Sequence, residues 1–171
     1  MEQDIVGAGD QWLPDEKYEF IQTHMPIVCV DVLLSPVGDP RQVALIRRDA
    51  PEGDAWCLVG GRVLRDERLA DAVDRHVATT LGTGVHVDRS TLEFGAVIED
   101  PTKPGPDGLS DPRKHAVSIT YAASCEFSGE PEALGEASEF AWFKIDQLSE
   151  VSFGFGQGHA VARVLKNLGR I

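Results

Sequence analysis

Three groups of residues have types and spacings that suggest chemistry. The first is Asp31, set in an otherwise apolar run, Pro26-Ile-Val-Cys-Val-Asp-Val-Leu-Leu34. A buried carboxylate needs a partner, and an arginine facing it in a site would serve; a solvent-exposed edge position is the alternative. The second lies between Trp56 and Gly82. Gly61 is followed after five residues by Glu67, Glu67 after seven by Arg75, and then come Val77 and Gly82. On a helix here, His76, Thr79 and Thr80 fall within an arc of about 100°. The third is a basic cluster, Lys103, Arg113 and Lys114, in a proline-rich stretch. It could close over a phosphate or be a solvated loop. Gly154-Phe-Gly156-Gln-Gly158 precedes the last helical segment, but His159 stands where a dinucleotide fingerprint needs glycine. It reads as a helix-entry turn. Cys57 has no charge partner visible in sequence and reads as packing.

Regular elements must position these groups. Pro26–Leu34 is β-branched and apolar, which predicts a buried strand. Ser35–Pro40 is a turn cluster, and Gln42–Arg48 reads as the returning strand of a hairpin. Trp56–Val63 predicts a strand running into a loop. Leu69, Val73, Val77 and Leu81 recur every fourth residue, which predicts a helix over Glu67–Leu81 stopped by Gly82. Thr91–Glu99 and Phe140–Ile145 predict strands, with Asp146 as N-cap of a short helix. His115–Phe127 alternates without a break, a half-buried strand with Val117, Ile119 and Tyr121 on one face and Ser118 and Thr120 on the other. Asp15–Thr23 and Ala160–Leu168 predict the flanking helices. The four prolines between Glu99 and His115 exclude helix and central strand.

The unit W-C-L-V-G-G-R-V-L-R-D-E-R-L-A-D-A-V-D-R-H-V-A-T-T-L-G resembles the Nudix box, G-x5-E-x7-R-E-U-x-E-E-x-G-U, with every interval kept. The resemblance implies an α/β fold, a Nudix-type α/β/α sandwich with a mixed central sheet, over residues 25–171. Residues 1–24 are expected to be an N-terminal arm and docking segment. His76, Thr79 and Thr80 replace the three glutamates of R-E-U-x-E-E, carboxylates that in the family bind divalent metal on a pyrophosphate. Threonine hydroxyls and one histidine suit hard Mg²⁺ or Mn²⁺ poorly.

Within the superfamily, Phe20–Arg75 looks most like the GDP-mannose mannosyl hydrolase branch. The matching pieces are Pro26-Ile-Val-x-Val-Asp31, Leu45-x-Arg47, Pro51, Trp56-x-x-Val59-Gly-Gly-Arg62-Val63 and Asp66-Glu67, with Phe140-Ala-Trp142 further on. That branch hydrolyses the sugar from a nucleotide sugar. It implies that Arg47 and Arg62 contact a diphosphate, that His115 contacts phosphate or sugar, and that Gly60 offers its carbonyl to Mg²⁺ or Mn²⁺. Lys114 is added as a ligand contact from the basic loop. The later-loop Gln ligand matches Glu136 and the catalytic base matches Ala137. Glu136 and Glu139 are then the nearest carboxylates for metal or water activation, with Asp31 as a second catalytic candidate. A solvated acidic loop is the plainer reading of both glutamates.

Sixteen Lys and Arg against 28 Asp and Glu give a net charge of −12, with 42% hydrophobic and 26% charged residues in 171. That field repels nucleic-acid polymers and anionic membranes. The start lacks a basic n-region and no apolar run reaches membrane length, so a cytoplasmic protein is expected. Three cysteines at wide spacings fit reduced thiols. Two functions stay open. One is a hydrolase of a nucleoside-diphosphate-linked substrate, a nucleotide sugar foremost, with a non-standard metal site. The other is a catalytically inactive domain that binds a nucleotide ligand or protein partner. Relatives in the branch form dimers, and the segment around Trp12 could dock on a second subunit.

Overall fold

The computed structural model describes residues 13–51, 53–106 and 108–171; the expected docking role of Trp12 lies outside them. The elements run α1 (Asp15–His24), β1 (Ile27–Pro36), β2 (Gln42–Ala50), β3 (Gly53–Cys57), β4 (Val59–Arg62), α2 (Leu69–Leu81), β5 (Val85–Val87), β6 (Glu93–Asp100), β7 (Ala116–Phe127), β8 (Glu139–Lys144) and α3 (Gln157–Asn167). Single 3₁₀ segments span Arg89–Thr91 and Ile145–Glu150. None of the described helices is long and apolar enough to cross a membrane.

The strands form two sheets. One has the order β4-β1-β7-β5, with β6 also on β7; the other is β3-β2-β8. β1 and β7 are parallel and the remaining ladders antiparallel, so the larger sheet is mixed. Alternation along β1 builds two cores. Val30, Val32 and Leu34 join Val73, Val77 and Leu81 of α2. Leu33 joins Val161, Val164 and Leu165 of α3. Helices on both faces of sheet give the α/β/α sandwich that the sequence predicts.

Several local expectations need correction. β2 is not the hairpin partner of β1. β1 has both edges taken, by β4 and β7, so β2 crosses to the second sheet and pairs with β3 and β8. The predicted strand at Trp56–Val63 is two strands in different sheets, separated by Leu58, whose N–H donates to Gln157 Oε1 at 2.7 Å. The face of β7 that carries Ser118 and Thr120 is the buried one, while Val117, Ile119 and Tyr121 are only partly buried. Asp146 lies inside the 3₁₀ turn, not at its cap. α2 starts at Leu69, since Glu67 folds back to accept from Leu64 N–H at 2.9 Å. β5, three residues long, had no pattern to announce it.

Candidate functional site

The cleft grows from a contrast along one face of β1. Cys29, Asp31 and Leu33 share that face. Cys29 packs beneath Tyr18 and Ile21 of α1, and Leu33 enters the core under α3. Asp31 lies between these two packed regions, on the floor of a cleft of about 770 Å³. β4 edges the cleft with Gly60 and Gly61. A Cβ on Gly60 would fall 2.3 Å from Asp31 Oδ1, and one on Gly61 2.7 Å from His76 Cε1. The two glycines strip both faces of an edge strand, so the cleft wraps around it from Asp31 to α2.

α2 is tied to this edge. Arg75 donates through Nε to Glu67 Oε1 at 2.6 Å and through Nη2 to Glu67 Oε2 at 2.8 Å. Its Nη2 also reaches the Arg62 carbonyl at 2.9 Å. His76 Nε2 lies 3.0 Å from the same carbonyl. Burial holds the His76 pKa below its ordinary value, and because a carbonyl can only accept, Nε2–H is the donor. The Arg75 hydrogen bonds hold Glu67 below the usual carboxylate range. Thr79 Oγ1 donates to the Arg75 carbonyl at 2.8 Å.

The rest of the cleft carries charges of both signs, with the carboxylates of Asp15, Asp31, Asp100, Asp111 and Glu136 set among its cations. Arg48, Arg62, Arg113 and Lys114 all line the cleft. The Arg48 guanidinium lies 5.3 Å from the Phe155 ring centroid and that of Arg113 4.0 Å from it. Arg48 pairs with Glu136, and Arg113 chelates Asp111 at 2.9 and 2.8 Å. Burial opposes ionisation of Asp111, but the Arg113 hydrogen bonds hold its carboxyl below the ordinary value. Arg62 stacks on Tyr18 at 4.0 Å, so α1 forms part of the wall. Burial pushes the Asp31 carboxyl up to about 6, against the Ser118 hydrogen bond and the charges of Lys114 and Arg48. Burial also pushes the Cys57 thiol up to about 11, which suits packing and not nucleophilic attack.

Of the residues singled out in sequence, Asp31, Gly60, Arg62, Lys114 and Glu136 come together here. Arg47, His115 and Glu139 are not among the lining residues. Arg47 sits on the other face of β2, opposite Trp56 and Glu139, with its Nη1 3.4 Å from Glu139 Oε2. One residue of alternation sends the neighbouring Arg48 to the cleft instead. His115 precedes β7 and its carbonyl accepts from Ile27 N–H at 2.8 Å. Arg48, Phe155 and Tyr18 were not anticipated. The alternation of Val43 and Leu45 with Ala44 and Ile46 was the signal that separates Arg47 from Arg48.

A resident divalent metal does not fit these donors. The α2 positions facing the cleft hold a ring bonded to a carbonyl and neutral hydroxyls. Glu67, Glu136 and Glu139 are each paired with an arginine. Among the described residues no three His, Cys, Asp or Glu side chains converge.

The chain matches a family model described as domain of unknown function (DUF4916) over residues 8–169. The low-salt glycan biosynthesis protein Agl8 of Haloferax volcanii is 32% identical over 77 residues, which are 44% of this chain and 47% of that protein. The chain thus spans about half the length of that curated relative. A possible asymmetric diadenosine tetraphosphate hydrolase from Jonesia denitrificans superposes with a TM-score of 0.73 at 30% identity, covering 86% of this chain and 97% of the other. The NUDIX domain of Shewanella oneidensis NrtR, complexed with ADP ribose, superposes at 0.64 with 17% identity, covering 91% and 99%.

Proposed function

The chain belongs to the DUF4916 family and has the Nudix hydrolase fold, and from that premise we propose that its cleft binds a nucleoside-diphosphate-linked ligand, a nucleotide sugar foremost, without a bridging metal. The observation that carries this reading is the distribution of charge. His76, Thr79 and Thr80 stand on the α2 wall where the Nudix box has glutamates, and Arg48, Arg62, Arg113 and Lys114 line the cleft with five carboxylates, of which Asp111 and Glu136 are paired with arginines. Guanidinium forks match phosphate oxygens in geometry and sign, so they can take over the charge neutralisation a metal would give. The ADP ribose held by the NrtR domain is a ligand of this class, and the partial match to a glycan biosynthesis protein points the same way.

The test is calorimetric titration with ADP-ribose and GDP-mannose in excess EDTA. Binding should persist unchanged on adding Mg²⁺. Binding that appears only with Mg²⁺ or Mn²⁺ would overturn the metal-free reading.

One observation favours turnover as a second reading. Asp31, with its carboxyl at about 6, is poised to exchange a proton near neutral pH beside Lys114. It would act as general acid or base on a substrate whose diphosphate leaving group rests on the arginines. Hydrolysis of either probe in EDTA, lost in Asp31→Asn while binding is kept, would support it. Binding of both probes without turnover would leave an inactive binding domain.

A further inference from the structure

Arg48 and Glu136 form an ion pair in the lining of the cleft. Arg48 is largely buried, with its side chain 15% exposed, and Phe155 backs its guanidinium. Its Nη1 donates to Glu136 Oε1, while its buried Nε makes no hydrogen bond. The cation is therefore fixed in place with its donors incompletely used. Glu136 is the opposite case. Its side chain is 53% exposed, and it sits in a segment held by its backbone and not by its carboxylate. Leu134 N–H donates to the Thr80 carbonyl at 2.9 Å, and Ser138 N–H to the Arg47 carbonyl at 2.8 Å. Those bonds also occupy a carbonyl in the last turn of α2. The Glu136 side chain can thus swing into water while its loop stays docked.

We propose that the Glu136 carboxylate holds on Arg48 the place of the ligand's phosphate, so that binding is an exchange of one anion for another. This rests on the reading of the cleft as a diphosphate site and adds a selection rule to it. A carboxylate and a phosphate each offer paired oxygens to a guanidinium fork. A singly charged group gains little by displacing an equal charge. A diphosphate brings several charges to the neighbouring cations as well, and wins. Release leaves no buried charge unpaired, because the phosphate takes over Arg48 as the half-exposed Glu136 carboxylate moves into water. The pair therefore sets the ligand class: multiply charged diphosphates enter, and singly charged phosphodiesters or carboxylates are refused.

The experiment is titration of the full chain in EDTA with inorganic pyrophosphate and with dimethyl phosphate. Wild type should bind pyrophosphate and not dimethyl phosphate. Glu136→Gln, which keeps shape and removes charge, should tighten pyrophosphate about fivefold and admit dimethyl phosphate. Arg48→Lys should weaken pyrophosphate, and adding Glu136→Gln to it should bring less than the single-variant gain. Equal pyrophosphate affinity for wild type and Glu136→Gln would overturn the exchange. So would an undiminished gain in the Arg48→Lys background, which would mark a general charge effect. If wild type binds pyrophosphate while either of these holds, the exchange alone falls. If no variant binds pyrophosphate or ADP-ribose, the diphosphate reading falls with it.

Discussion

The His76 ring stands against Gly61 and places Nε2 3.0 Å from the Arg62 carbonyl oxygen. The residue that follows Arg75 is therefore a strut against the glycine pair of β4. This contact and a backbone φ of 154° both favour glycine at position 61. A Cβ there would lie 2.7 Å from the imidazole. Gly61→Ala should destabilise the fold by about 1–3 kcal/mol, the range for overpacking. His76→Ala in the same chain should recover part of that loss by opening the space. Chemical denaturation of the two single variants and the double variant measures the coupling. Strictly additive losses would show that the ring is not what excludes the side chain.

Asp31 gives a pH dependence of definite sign. Its carboxyl rises from 3.8 to about 6 through burial. The folded protein thus prefers the protonated acid more than the unfolded chain does. The stability this contributes is full below about pH 4 and is lost as pH rises through about 6. A shift of this size corresponds to roughly 3 kcal/mol. Asp31→Asn keeps the neutral shape and removes the titration. Its stability advantage over wild type should be small at pH 4 and grow to roughly 2–3 kcal/mol at pH 8. Urea unfolding at both pH values measures this, and a difference that does not change with pH would refute it.

Glu67 and Arg75 form the ion pair that fastens the start of α2, with side chains 11% and 18% exposed. Removing one partner leaves a buried charge without its counter-ion. Glu67→Ala should cost about 3–5 kcal/mol. Glu67→Gln should cost less, because it can still accept from Leu64 N–H. Thermal melts rank the two, and equal melting temperatures for wild type and Glu67→Ala would rule out this fastening role.

The chain announces its local devices better than its long-range ones. The Gly61–Glu67–Arg75 spacing is legible because the turn, the acid and the helix that bind one another lie within 15 residues. The apolar period of α2 is equally local. The partner of β2 is not, because it depends on which edges of β1 are already filled. The cleft-facing identity of Arg48 has the same cause: Arg47 and Arg48 differ only in which face of β2 they occupy, and the sheet pairing decides that. Tyr18 reaches Arg62 from α1, 44 residues earlier in sequence by their numbering. Only packing brings them together.

The proposed metal-free reading of the cleft can be tested by placing on α2 the carboxylates that the Nudix box carries there. Thr79 and Thr80 both line the cleft, beside Gly60 and Glu136. Replacing both with glutamate puts hard anionic oxygens where the cleft now has hydroxyls. Without metal, the double variant should melt below wild type, since Thr80 is only 9% exposed and its replacement carries an unpaired charge. Mn²⁺ should then raise the melting temperature of the variant, because an ion that binds only the folded state stabilises it in proportion to its concentration over Kd. Wild type should not respond. Paramagnetic resonance of free Mn²⁺ gives an independent count, with the signal depleted by the variant and left intact by wild type. Equal depletion by the two proteins would mean that His76, Thr79 and Thr80 had not emptied the metal site, and the arginines would lose their role as its replacement.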